Sequence, residues 1–361
     1  MDELINVVDF ERAAERVLEP GPLGYFAGGA GDERTLRGNV EAFGRWHLRP
    51  RVLVDVSSVS TAAEVLGREA SMPLLVAPTA FQRLAHPDGE LATARAAAAA
   101  GTVMIQSTLS SVTPAELAAA APDGRRWFQL YWSSDREFTR ELLAQVRESG
   151  FDAVVLTVDF AAAGRRERDL RVRFALPDDL PTPNIPGPLA RENFHAAIGH
   201  IVDAALTWRD LEWLRDAAGL PVLLKGVLTS EDAVLAVEHG AAGLVVSNHG
   251  GRQLDGAPPS LEVLPEVVEA AADRAEVLFD GGIRRGADVV TALALGAKAV
   301  LVGRPVLWGL AVGGEEGVAR VLDLLRAELA LALTQLGCTS PVEVTRAHVA
   351  PQPPSSSASS A

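Results

Sequence analysis

Cysteine, lysine and tyrosine are nearly missing from these 361 residues. The single Cys338 excludes an internal disulfide and a cysteine-based metal cluster, and it fits a reducing compartment, so a cytoplasmic protein with no metal site is expected. Only Lys225 and Lys298 are lysines, against 31 arginines (33 basic residues less two). Where arginine is the habitual cation, a lysine is a candidate for a place that needs a compact ammonium. Tyr25 and Tyr131 are the only tyrosines. No block of Lys or Arg interrupts a formal charge of −14, which argues against nucleic acid or an anionic membrane as partner. No uninterrupted apolar run reaches about 18 residues, so no membrane-spanning helix is expected. The start, Met1-Asp2-Glu3-Leu4-Ile5, is acidic and has no basic stretch before an apolar core, unlike a secretory signal.

What is present is a 48% apolar chain, enough for a sizeable core, with one repeated theme. Short β-rich runs recur at Leu74–Ala77, Thr102–Gln106, Trp127–Tyr131, Ala153–Val158, Pro221–Lys225, Gly243–Ser247, Glu276–Asp280 and Ala299–Gly303. Helical patterns lie between them, as at Gly89–Ala100, Asp135–Ser149 and Gly286–Leu295. Eight alternations predict a (β/α)8 TIM barrel over about residues 72–336, within a single domain spanning 1–350. A doubly wound open sheet is the runner-up, but no G-x-G-x-x-G follows the first strand. Residues 1–70 read as an N-terminal helical extension. Residues 175–206, rich in proline, read as a lid after strand 4 or a disordered insert, and 351–361 as a disordered tail.

The most informative stretch is Ser247-Asn248-His249-Gly250-Gly251-Arg252-Gln253-Leu254-Asp255, at the end of the Val/Leu run of strand 6. A histidine moves protons near neutral pH, and an arginine grips a carboxylate or phosphate with two parallel bonds. Three residues apart at a strand end, they suit a site that binds an acid and takes a proton from it. A solvated His and a surface Arg would be the plain reading of either alone. Barrel sites form where strands end, so Thr79, Ala80, Ser107, Gln129, Thr157, Asp159, Lys225, Asp280, Arg284, Gly303 and Arg304 are further candidates. The two Gly/Arg turns, Asp280-Gly281-Gly282-Ile283-Arg284 and Gly303-Arg304-Pro305, close strands 7 and 8, where barrels commonly bind phosphate.

Taken in order, these motifs together with Tyr25-Phe26-Ala27-Gly28-Gly29-Ala30, Phe128-Gln129-Leu130-Tyr131, Gly164-Arg165-Arg166-Glu167 and Leu224-Lys225-Gly226 resemble the FMN-dependent 2-hydroxy acid oxidase and dehydrogenase family. The similarity runs from about Phe10 to His348. It implies that His249 is the general base, oriented by Asp159. Arg166 and Arg252 would hold the substrate carboxylate, with Tyr25 and Tyr131 donating to carboxylate and hydroxyl oxygens. Lys225 would sit at the flavin N1/O2 edge, with Ser107, Gln129 and Thr157 along its polar side. Thr79, Ala80, Ser247 and Asp280 belong to the same FMN cradle, and Gly282, Arg284, Gly303 and Arg304 would hold the phosphate.

The resemblance also implies oxygen as a co-substrate and a homo-oligomer, a tetramer. Two departures bear on the substrate. Leu109 stands where glycolate oxidases carry Trp, and the family's Asp-x-Pro reads Asp159-Phe160-Ala161, followed by Ala162 and Ala163. These smaller side chains predict a roomy apolar pocket, and the Phe81–Glu90 stretch and the Ser107–Ser111 turn resemble the hydroxymandelate oxidase branch, so mandelate or 4-hydroxymandelate is the expected substrate. Lactate or glycolate, or a non-oxygen acceptor, are the alternatives. A barrel that binds FMN without catalysis would be expected to have lost part of the His/Arg/Arg/Tyr/Asp set.

Overall fold

The computed structural model describes residues 3–191, 198–199 and 202–352. Eight parallel strands close into a barrel: β1 Leu74–Val76, β2 Val103–Ser107, β3 Arg125–Leu130, β4 Ala153–Thr157, β5 Val222–Val227, β6 Gly243–Val246, β7 Glu276–Asp280 and β8 Ala299–Val302. Every predicted run is a strand, displaced by at most two residues at either end. Alternation along each strand builds two cores. Leu75, Ile105, Trp127, Val155, Leu223, Val245, Leu278 and Leu301 fill the barrel interior. Their neighbours, such as Val76, Phe128, Leu156, Leu244 and Phe279, face outward onto the helices. Burial on both faces is why the strands read as unbroken apolar runs.

The N-terminal extension is helical, as expected, over Val7–Val17, Pro20–Ala27 and Arg34–Glu41. It also holds an element the sequence reading passed over. The antiparallel hairpin Ala63–Val65/Arg68–Ala70 turns at Leu66 (φ 50°) and Gly67 (φ 67°). Two successive left-handed residues match the twist of a tight hairpin. Its Val65 is fully buried in the barrel-interior cluster, at the end away from the strand-end loops.

One boundary needs correction: the tail does not begin at 351, because Val349–Pro351 pairs antiparallel with Trp46–Leu48 and the Gln352 N–H donates to the Arg45 carbonyl (2.7 Å). The rest of the expected tail, 353–361, lies outside the described residues. The described part of 175–206 is packed cover, not a disordered insert. Leu176, Leu180, Ile185 and Leu189 are buried, and Asn184 donates to Ser110 Oγ (3.2 Å) and the Val112 carbonyl (2.9 Å) on the loop after β2. Among the described residues no helix is long and apolar enough to cross a membrane.

Candidate active site

A cavity opens where the barrel strands end. Every residue predicted from the sequence lines it except Asp159 and Ser247, which stand directly behind. Each of β1–β8 delivers part of the wall, so residues scattered from Tyr25 to Arg304 meet here because the strands run parallel and end at one face.

His249 sits in a short turn with φ 59°, a left-handed conformation rare for a residue with a side chain and one that the two following glycines, also left-handed, continue. The Asn248 side chain holds this turn by accepting from the Gly251 N–H (3.0 Å). Asn248 is in turn locked to Asn39 by a reciprocal amide pair (2.8 Å each way), buried and 209 residues apart in sequence. His249 Nδ1 lies 3.0 Å from Asp159 Oδ1, which leaves Nε2 for proton exchange. Burial holds the imidazole below its usual value against the pull of Asp159, with Lys225 and Arg166 lowering it further. Burial alone would raise Asp159; the His249 contact and Lys225 outweigh it and keep the carboxylate ionised. The pair is therefore a neutral base backed by an anion.

Two arginines flank the base. Arg252 lies with its guanidinium carbon 5.0 Å from the Tyr25 ring centroid, and Arg166 with its own at 5.8 Å. Arg252 is steadied from behind by donation to the carbonyls of Tyr25 (2.6 Å) and Gly28 (2.9 Å). Burial, then Arg166, brings it down to about 10, still charged at neutral pH. Arg166 is buried with its Nε unpartnered. Tyr131, pushed well above the usual phenol range by burial and then Asp159, stays a protonated donor.

The opposite wall is polar and cross-linked. Ser107 Oγ donates to Gln129 Oε1 (3.1 Å), and Gln129 Nε2 donates to Thr157 Oγ1 (2.9 Å). Lys225 Nζ reaches Asp280 Oδ2 (3.0 Å) and Ser247 Oγ (2.9 Å). Ser247 is thus a strut behind the wall: its hydroxyl also meets Asp280 and accepts from the His249 N–H (3.0 Å). Burial would lower Lys225, but Asp280 and Asp159 raise it overall, so it is a fixed cation. At β7 the backbone of Gly281 (φ 123°) and Gly282 (φ 85°) is open only to glycine, and a Cβ on Gly282 would lie 2.1 Å from the Asn39 carbonyl oxygen.

Arg284 and Arg304 complete this end. Arg304 also has a role the sequence does not announce. It donates to the carbonyls of Phe26 (3.0 Å), Gly250 (3.0 Å) and Gly28 (2.9 Å), tying the N-terminal arm and the β6 turn to β8. Five cations (Arg166, Lys225, Arg252, Arg284, Arg304) and one acid, Asp280, line one cavity. Such a set suits anionic ligands, a carboxylate at one end and a phosphate at the other. The glycine cradle, the paired Lys225 and the hydrogen-bonded Ser107–Gln129–Thr157 wall fit FMN.

The apolar part of the pocket differs from expectation in one respect. Leu109 lines it as predicted, but Ala161 and Ala162 are exposed and the Ala161–Ala163 run does not reach the cavity. The loop bends so that Phe160 faces in instead, its ring 5.0 Å from Tyr131 and 6.2 Å from His249. Ile198, from the cover segment, adds a wall that no sequence signal marked. Of the two cover-segment side chains that could fill the pocket, Leu189 is buried away from it and Phe194 lies outside the described residues.

Residues 14–351 match the family described as FMN-dependent dehydrogenase. A glycolate oxidase from Oryza sativa subsp. indica is 49% identical, the match covering 97% of each chain. An L-lactate oxidase from Nostoc sp. is also 49% identical, over 93% of this chain and 95% of its own. Among solved structures, a mandelate oxidase mutant with (S)-mandelic acid superposes with a TM-score of 0.87 at 46% identity, over 94% of this chain and 96% of that one.

Proposed function

The chain belongs to the FMN-dependent dehydrogenase family, among its 2-hydroxy acid oxidases, and from that premise we propose that it oxidises an aryl (S)-2-hydroxy acid of the mandelate type to the 2-oxo acid, with oxygen reduced to hydrogen peroxide. Arg166 and Arg252 bind the substrate carboxylate, a two-point grip that fixes the reacting carbon near His249. Tyr131 donates to the substrate hydroxyl. His249 Nε2 takes up the proton that the oxidation releases, and Asp159 stabilises the imidazolium. Lys225 holds positive charge at the wall where FMN would lie, held by the Ser107–Gln129–Thr157 side, the Gly281–Gly282 turn, Arg284 and Arg304. FMN, when bound, supplies the acceptor for the substrate's two electrons.

The observation that carries the aryl reading is the apolar corner made by Leu109, Phe160 and Ile198 beside Tyr131. Aryl burial there contributes at about 25 cal/mol per Å² removed from water, a few kcal/mol before losses. The position of Phe160 favours a second reading: if its ring fills that corner, a small acid such as glycolate or lactate is preferred. Oxygen uptake with mandelate, lactate and glycolate decides between them. We expect the highest kcat/KM for mandelate; a higher value for glycolate overturns the aryl assignment alone. A cytoplasmic homotetramer belongs to this reading, supported by the family resemblance alone. A monomeric mass in light scattering would overturn the tetramer.

A further inference from the structure

Gln253, in the strand-6 motif, is a polar side chain that the chemistry above does not use. Gln253 follows the arginine of the carboxylate clamp, and its amide crosses to the loop after β4. Nε2 donates to the carbonyls of Asp159 (2.8 Å) and Ala162 (3.0 Å), and Oε1 accepts from the Gly164 N–H (3.1 Å). Both donors of the amide and its acceptor are therefore spent on six residues of backbone. The two segments also touch directly at Gly164, where a Cβ would lie 2.2 Å from the Arg252 carbonyl oxygen. Asp159 begins that backbone, and Arg166 follows two residues beyond its end. The Asp159 carboxylate packs over Gly226, where a Cβ would lie 2.7 Å from its Cγ, but hydrogen bonds hold it at one end only: Oδ1 meets His249, and Oδ2 is buried without a hydrogen-bond partner. Where Oδ1 sits is decided by where the backbone sits.

We propose that Gln253 is the positioning residue that sets the Asp159–His249 geometry and couples it to the Arg252 clamp, so that one amide aligns the proton acceptor with the carboxylate grip. The inference rests on the 2-hydroxy acid oxidase reading. Gln253 touches neither the reacting atoms nor the cofactor wall, so its removal should leave FMN in place. A misplacement of about 1 Å in such a constellation can cost on the order of a hundredfold in rate. Asp159 also raises His249, while burial, Lys225 and Arg166 lower it; Tyr25, Tyr131, Arg252, Asp280, Arg284 and Arg304 are the other ionisable groups lining the cavity. If Asp159 drifts away, the base loses its only raising partner, and the pH at which the rate switches on falls.

The experiment is anaerobic flavin reduction by the preferred 2-hydroxy acid, followed by stopped flow across pH in the FMN-loaded parent, Gln253→Met and Gln253→Glu. Gln253→Met keeps the length and removes all three bonds. Gln253→Glu sets a carboxylate against two carbonyls at neutral pH and should be the worse of the two. We expect full FMN content in both, reduction slowed about tenfold to a hundredfold, and the rising limb of the profile displaced to lower pH. Rates within twofold of the parent, or slow variants with an unmoved limb, overturn the assignment. So does activity lost only in proportion to lost FMN, since that is a purely structural role. If neither variant loads FMN, Gln253→Asn, which keeps an amide one carbon short, takes their place under the same criteria. A parent that no 2-hydroxy acid bleaches defeats the oxidase reading instead, so the two failures are distinguishable.

Discussion

His249 combines three demands that rarely coincide in one side chain. It occupies a left-handed backbone position, it is surrounded by cations, and it must still accept a proton. The strain and the desolvation both act against an ordinary histidine, and Asp159 offsets the second by offering the imidazolium an anion 3.0 Å away. Because burial lowers the imidazole, the base is neutral at pH 7 and becomes protonated only below its ordinary range. The sign of the pH dependence follows: the flavin reduction rate should be flat near neutrality and fall as pH drops through a value under 6.5. A rising limb above 7 in single-turnover kinetics would contradict this. Replacing the ring by an amide, His249→Gln, removes the acceptor while keeping size. It should lower the reduction rate by about 10²–10⁴-fold with FMN still bound. Arg252→Lys keeps charge yet cannot reproduce a planar two-point grip, so KM should rise sharply while FMN content holds.

At the scale of elements, function lives in the turns that end the strands, and glycine decides how closely those turns approach their neighbours. Gly282 is the clearest instance. Its φ of 85° and the Asn39 carbonyl 2.1 Å from a hypothetical Cβ mean that Gly282→Ala must displace either the β7 turn or the helix Arg34–Glu41. We expect a loss of about 2 kcal/mol or more in urea unfolding and reduced FMN content. Gly44→Ala, at an exposed glycine with open space around it, should stay within about 0.5 kcal/mol.

The strands themselves were legible in the sequence because parallel strands buried on both faces leave continuous Val/Leu runs. Most of the site was legible because strand ends carry it. What escaped was whatever depends on chain segments meeting at long range or on a loop's exact path. The Asn39–Asn248 pair joins positions with no local pattern in common. The Ala161–Ala163 run suggested space, but the bend of the loop sends Phe160 inward and Ala161 and Ala162 out to solvent. The hairpin at 63–70 has too little apolar alternation to read as strands, since only Val65 enters the barrel core.

The whole molecule is an acidic shell around a cationic centre. The net charge is −14, yet five Arg and Lys side chains converge on one cavity, four of them mutually repelling arginines. Arg304 shows the cost: burial and then Arg252 and Arg284 bring it down to about 9. An anion bound among them relieves that repulsion, so cofactor binding and folding are linked, and any ligand that binds only the folded state stabilises it in proportion to its affinity. At a thousandfold excess over Kd the gain is about 4 kcal/mol. For a chain of this length that corresponds to a rise in Tm on the order of 5–10 °C. On the proposed reading the phosphate should supply much of it, because Arg284 and Arg304 are the residues that would hold it. Thermal unfolding of the stripped protein with equal concentrations of FMN and riboflavin separates the contributions. FMN should raise Tm by several degrees and riboflavin by far less. Because Arg284 and Arg304 are only half-exposed, 0.5 M salt should narrow the gap only partly, as screening acts mainly on exposed charge. Equal shifts for the two flavins would remove the phosphate assignment from Arg284 and Arg304, and would leave the isoalloxazine wall and the base at His249 untouched.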